Sequence, residues 1–262
     1  MTRYEAVILD VDGTLVRGDR LLPGATVGIR AIDDAGCDRL LFSNNPTRGA
    51  AHYEERLSAH DLAVDPHRVL TSGTVAAEFL ADTHPEASVF VVGESRLETL
   101  LEKSSLAVID DPREAAVVLG SIDRDLTYDD LGHALTALER ADAFYGTDPD
   151  VTIPTDGGMV PGSGTIIAAM EAVADREVDG ILGKPSKIAA DAAFERLGLE
   201  GSPERTLVVG DRLNTDIELG MRAGTDTALV TTGVASRADV AAADLEPTYV
   251  LDSLAELEDL LG

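Results

Sequence analysis

Apolar positions fall in short β-branched runs separated by amphipathic stretches of helical period, and the alternation continues along almost the whole chain. Such a pattern predicts repeated βα units around a largely parallel sheet, an α/β fold. The predicted strands are Ala6–Leu9, Arg39–Phe42, Val89–Val92, Ala116–Leu119, Ala143–Tyr145, Gly180–Leu182, Thr206–Val209, Thr227–Val230 and Tyr249–Leu251. The predicted helices include Thr26–Ala35, Ala50–Ala59, Thr74–Ala81, Tyr128–Ala141, Thr165–Ala174, Ile188–Leu197, Asp216–Ala223 and Leu254–Leu261. Ligands of an open α/β sheet gather at the carboxyl ends of its strands, so the polar residues that end these runs are the first candidates for chemistry.

Three runs end alike, in Val-Val-Gly-Glu, Val-Val-Leu-Gly and Val-Val-Gly-Asp, which fits repeated βα construction. The stretch from Thr147-Asp148-Pro149-Asp150 to Gly162-Ser163-Gly164 is rich in turn formers and reads as a loop or hairpin outside a regular sheet. A discontinuous core accounts for it, with residues 1–82 and 178–262 forming the core and residues 83–177 an inserted domain.

Composition adds a strong charge. The chain has 262 residues, 44% of them apolar, with only 4% aromatic, so aliphatic side chains must do most of the packing. Acidic residues number 48 against 21 basic, a formal charge of −27, and they are scattered among apolar positions. That field repels polyphosphates and anionic lipid, which argues against a nucleic acid or membrane partner. The lysines are Lys103, Lys184 and Lys187. An acidic, lysine-poor surface suits very high salt, where its self-repulsion is screened. The single cysteine, Cys37, reads as a buried structural thiol. The N-terminal residues run directly into an apolar strand without a long signal-type segment, and no apolar stretch reaches bilayer length, so the expectation is a soluble cytoplasmic protein. The sequence leaves open whether the chain is a homo-oligomer.

Four strand ends carry candidate chemistry. In Asp10-Val11-Asp12-Gly13-Thr14 two carboxylates leave one strand end together. They repel unless a cation or a shared proton lies between them. Gly13 permits a sharp turn, and Thr14 can bind the backbone there. Alone this is an ordinary turn with two acids; an EF-hand loop fails because residues 14–21 lack the acidic ladder. Ser43-Asn44-Asn45 follows a second strand, where a hydroxyl and backbone N–H groups can hold phosphate oxygens, although a helix cap would look the same. Lys184, in Gly183-Lys184-Pro185-Ser186, can neutralise a phosphate, and the rarity of lysine here weakens its reading as a surface residue. Asp211 ends a Val-rich strand, and Asp216 lies five residues on at a helix start, where the helix dipole alone would also favour an acid. All-oxygen ligands of this kind suit magnesium.

Taken in order, these four motifs resemble the haloacid dehalogenase-like superfamily, specifically its subfamily IIA, the NagD / 4-nitrophenylphosphatase-like group. Further stretches share the resemblance, among them Leu22-Pro23-Gly24-Ala25, Pro161-Gly162-Ser163-Gly164, Asp211-Arg212-Leu213-Asn214-Thr215-Asp216 and Thr231-Thr232-Gly233-Val234. The resemblance covers essentially the whole chain. It implies a Rossmann-like doubly wound parallel sheet core with an inserted α/β type-two (C2) cap domain.

The resemblance also implies a chemistry, hydrolysis of a small-molecule phosphate ester with Mg2+. Asp10 would be the nucleophile and form an aspartyl-phosphate; Asp12 would be the acid and then the base. The Asp10 carboxylate, the Asp12 backbone carbonyl and Asp211 would hold the metal, with Asp216 assisting. Ser43 and the Asn44 backbone would grip phosphoryl oxygens, with Asn45 beside them, and Lys184 would stabilise charge on Asp10 and the phosphate. One position departs from the subfamily pattern. Thr147-Asp148-Pro149-Asp150 has an acid where an amide is usual, which either alters substrate choice or follows the chain's acidic habit. Other readings fit less well. A dehalogenase lacks the counterpart of Asp12, a phosphomutase needs a cap between the first two motifs, and a phospho-receiver domain is about half this length. A catalytically weak phospho-ligand-binding relative remains the alternative.

Overall fold

The computed structural model describes residues 3–155, 157–199 and 202–261. The chain divides into two compact units: Met1–Ser43, Ala50–Leu70 and Ala189–Gly262 form the first, Asn44–Gly49 and Thr71–Ile188 the second.

The first unit is built around a sheet with strand order Tyr249–Leu251, Asp226–Val230, Thr206–Gly210, Ala6–Leu9, Asp38–Ser43, Val69–Thr71. From Ala6–Leu9 the chain order runs outward in both directions, the doubly wound pattern whose switch point lies beside that strand. Ala6 to Leu9 pair in parallel with Thr206 to Val209 on one side and Asp38 to Leu41 on the other. All four residues of Ala6–Leu9 are buried, as a parallel strand covered on both faces requires. Helices Ala25–Asp34, Ala50–Ser58 and Glu218–Ala223 connect its strands, and Lys187–Leu197 precedes Thr206–Gly210. The core joins Val7, Leu9, Leu41, Leu57 and Val209 with the buried ring of Tyr53. Cys37 is buried in this core, and burial pushes its thiol pKa up, consistent with a structural thiol.

The second unit has its own parallel sheet, ordered Gly180–Ile181, Ala143–Gly146, Val117–Gly120, Ser88–Val92, Ala107–Ile109. Phe90, Val118, Phe144, Ile167 and Met170 form its core. The turn-rich stretch is an antiparallel hairpin, Thr152–Thr155 with Gly158–Pro161, leading into helix Ser163–Ala174. Side-chain caps start several helices: Thr71 and Thr74 form a capping box for Ser72–Thr83, as Thr127 and Asp130 do for Tyr128–Leu138.

Some elements escaped the sequence pattern, namely the strands Val69–Thr71 and Ala107–Ile109, the helices Ser95–Lys103 and Arg237–Ala242, and the hairpin Val16–Arg17 with Arg20–Leu21. Strands of two or three residues are too short to show a period. The predicted helix Asp216–Ala223 begins instead with a π-helical turn, Leu213–Ile217, before the α-helix Glu218–Ala223. Among the described residues no helix is long and apolar enough to cross a membrane.

Candidate active site

Asp10 sits one residue past the central strand, and its N–H donates to the Val209 carbonyl at 2.9 Å. Because Leu9 pairs with Val209, the ends of these two strands lie side by side and carry Asp10 and Asp211 to one place. Asp216 reaches the same place by the π-helical turn, a distortion that often marks functional sites. Asp10, Asp211 and Asp216 are all buried, and each offers a carboxylate oxygen within 4.8 Å of the others.

Neighbouring backbone shapes this cluster. Gly13 has φ of +104°, a conformation that L side chains rarely adopt, and a Cβ there would overlap the Asp211 carboxylate. A Cβ at Gly233 would overlap the same carboxylate, and one at Gly210 that of Asp216. The Val234 N–H donates to Asp211 Oδ2 at 2.7 Å, the Arg212 N–H to Asp216 Oδ2 at 3.1 Å, and the Thr14 hydroxyl to Asp10 Oδ2 at 3.1 Å. Thr14 therefore serves the nucleophile candidate directly, beyond the backbone role its position suggested. Three buried carboxylates this close repel strongly without a countercharge. Their all-oxygen donor set and glycine-lined space fit a hard divalent cation.

The Asp12 carboxylate lies outside this cluster. It is 47% exposed and ion-paired with Arg56 Nη1 at 2.9 Å, while Arg56 Nη2 donates to the Gly18 carbonyl. The resemblance assigns Asp12 a metal contact through its carbonyl oxygen, so its carboxylate is not needed in the cluster.

Ser43 is buried at the end of its strand, and the Tyr53 hydroxyl donates to its Oγ at 2.9 Å. Burial, with the nearby charges of Asp12 and Asp10, holds the Tyr53 phenol well above its ordinary pKa, so it remains a donor. With Tyr53 donating, the Ser43 proton is directed elsewhere.

In the second unit, Asn44 brackets Lys184. Asn44 Oδ1 accepts from the Lys184 N–H at 2.8 Å, and Nδ2 donates to the Lys184 carbonyl at 3.0 Å. The Ser72 hydroxyl donates to the Asn44 carbonyl at 2.8 Å. Lys184 is only 2% exposed, far from the ordinary state of a lysine, and precedes a cis peptide bond to Pro185. Asn45 closes a local turn, its Oδ1 accepting from the N–H and hydroxyl of Thr47.

Asp148 is fully buried in the second unit. Ser163 donates to its Oδ2 at 2.6 Å and Thr147 at 3.1 Å, while the Asp150 N–H reaches Oδ1 at 3.3 Å. Burial, reinforced by the Asp150 charge, pushes its pKa up to about 7 despite those donors.

Tyr53 and Arg56 belong to none of the strand-end motifs, whereas Val234, whose N–H serves Asp211, lies in the stretch Thr231-Thr232-Gly233-Val234. The first two stand three residues apart on one helix face, a spacing visible in the sequence. Which groups that face meets is set by the packing of the helix against the sheet.

Residues 7–107 match the profile of haloacid dehalogenase-like hydrolases, and residues 181–257 match a second profile of the same kind. An acid sugar phosphatase of Staphylococcus aureus is 34% identical, covering 98% of this chain and all of that protein. A p-nitrophenyl phosphatase structure from Archaeoglobus fulgidus superposes with a TM-score of 0.93 at 31% identity, covering 98% of this chain and 99% of that one. NagD from E. coli K-12 superposes with a TM-score of 0.85 at 28% identity, covering 98% of each chain. Full-length agreement in sequence and fold identifies the chain as a phosphatase that belongs to the haloacid dehalogenase-like hydrolases, in their NagD / 4-nitrophenylphosphatase-like subfamily IIA.

Proposed function

We propose that the chain hydrolyses small phosphate monoesters, sugar phosphates foremost, with Mg2+ and through a phosphoryl group carried on Asp10. The observation that carries this reading is the buried Asp10, Asp211 and Asp216 cluster with its oxygens mutually within 4.8 Å. The sugar phosphate preference is supported by the named activity of the Staphylococcus relatives. The cytoplasm is the compartment we assign to it.

In this reading an Asp10 carboxylate oxygen attacks phosphorus. The bond from phosphorus to the ester oxygen breaks, its electron pair stays on that oxygen, and Asp12 delivers the proton that completes the alcohol. Asp12, now a carboxylate, takes a proton from a water molecule that attacks the same phosphorus. The bond to Asp10 breaks and inorganic phosphate leaves. A bound Mg2+ supplies countercharge for the phosphate and the carboxylates. Ser43, oriented by Tyr53, donates to a phosphoryl oxygen. Lys184, held by Asn44, supplies positive charge to the transferred group.

The test is phosphate release from 4-nitrophenyl phosphate in Mg2+. Asp10→Asn should lower kcat by about a thousandfold or more, since the amide cannot form the covalent intermediate. Retained turnover would remove Asp10 from the role.

A further inference from the structure

The carboxylate assigned as acid sits two residues from a ligand of the acidic cluster, yet it is held away from that cluster. A divalent cation bound by Asp10, Asp211 and Asp216 would attract any further carboxylate within a few ångströms. An Asp12 drawn in that way would be occupied as a ligand and lost as a proton donor. The structure offers a competing countercharge. Arg56 Nη1 meets Asp12 Oδ1 at 2.9 Å; the Arg56 side chain is only 13% exposed, while the Asp12 carboxylate, at 47%, stays open to solvent.

Arg56 is itself fixed. It projects from the last turn of helix Ala50–Ser58, and its second nitrogen donates to the Gly18 carbonyl in the hairpin that follows the Asp12 turn. His60 Nε2 lies 2.9 Å from the Asp19 carbonyl of the same hairpin. Three residues before Arg56, on the same helical face, Tyr53 holds Ser43. One helix face thus touches two of the groups assigned to catalysis without supplying a reacting atom.

We propose that Arg56 is a positioning residue that keeps the ionised Asp12 carboxylate out of the metal cluster between turnovers, so that it is free to take up a proton and deliver it to the leaving group. The inference rests on the reading of Asp12 as the acid, and the experiment separates the two.

The measurement compares two substrates with Mg2+: 4-nitrophenyl phosphate, whose leaving group needs little protonation, and an alkyl phosphate such as a sugar phosphate, whose leaving group needs a full proton. Arg56→Met should lower kcat on the alkyl ester by about tenfold or more but by less than about threefold on the nitrophenyl ester, and Arg56→Lys should recover most of the loss. Without substrate, Mg2+ should raise the melting temperature of Arg56→Met at lower concentration than for the parent, because Asp12 is then free to join the ligands. If Arg56→Met folds poorly, Arg56→Gln keeps a donor for the Gly18 carbonyl without the charge. Equal loss on both esters, or loss on neither, overturns the inference. Asp12→Asn is run in parallel. If it shows the leaving-group dependence and Arg56→Met does not, only the inference fails. If Asp12→Asn lacks that dependence, the acid role of Asp12 fails, and the inference with it.

Discussion

The side chain of Asn44 spans the backbone of Lys184, accepting from its N–H at 2.8 Å and donating to its carbonyl at 3.0 Å. Residues 140 positions apart in sequence are joined by both ends of one amide. A lysine at 2% exposure has lost its hydration, so its position is set by the protein. Asn44 therefore acts on the charge of Lys184 through the main chain. Asn44→Ala should lower kcat roughly ten- to a hundredfold where Lys184 is present. In a Lys184→Met background it should cost less than about threefold, because the group it positions is gone. Additive losses in this double-mutant cycle would show that Asn44 works independently of Lys184.

The buried Asp148 makes stability depend on pH. Its folded pKa of about 7 lies above the unfolded value, so between the two the folded chain keeps a proton that the unfolded chain has released. Stability is then full below the unfolded pKa and declines as pH rises toward 7, by an amount on the order of a few kcal/mol. Asp148→Asn keeps an acceptor oxygen for Ser163 without ionising. Chemical denaturation at pH 5 and pH 8 should show the parent less stable at pH 8 and the variant nearly level. A variant with the parental slope would remove Asp148 as its cause.

The acidic cluster predicts a metal-dependent melting temperature. Cation binding relieves the repulsion among Asp10, Asp211 and Asp216, and at a hundred times its dissociation constant it stabilises by about 2.7 kcal/mol. Asp211→Asn should melt higher than the parent in chelator and lose most of the gain on adding Mg2+. Unchanged Mg2+ stabilisation in this variant would place the bound ion elsewhere.

The charge of −27 predicts that salt stabilises the fold. Many ion pairs are exposed, such as Arg113 with Asp111 and Arg237 with Asp252, and contribute little individually. Net repulsion is long-ranged and is screened within about 10 Å at 0.1 M salt. Melting temperature should rise steadily from dilute buffer to molar KCl. Full stability without added salt would count against adaptation to high salt.

Strand and helix positions are largely readable because long elements repeat their own period and some short ones stand out as β-branched apolar runs. Ala6–Leu9 and Tyr249–Leu251 agree with the structure residue for residue. The predicted strand Arg39–Phe42 lies within one residue at each end of the observed Asp38–Ser43. Val69–Thr71 and the hairpin at Val16–Leu21 carry no such signal, since strands this short lack a period and these depend on their partner strands. The helix predicted from Asp216 starts inside the π-helical turn Leu213–Ile217, whose wider hydrogen-bond step leaves no mark in the apolar pattern. What it achieves, returning Asp216 to the strand end, depends on a neighbouring strand.

By itself, the alternation of apolar runs and helical stretches determined the α/β class, and the acidic and polar residues after those runs marked the strand ends that carry the candidate site, because a strand's direction and alternation are local properties. Tertiary structure alone decided how those residues are used. Asp10, Asp211 and Asp216 close on one another, the Asp12 carboxylate turns to Arg56, Asn44 serves Lys184, and Asp148 is buried beside Ser163. These pairings join positions made neighbours only by sheet register and helix packing, and a carboxylate's charge, partner and proton depend on those neighbours.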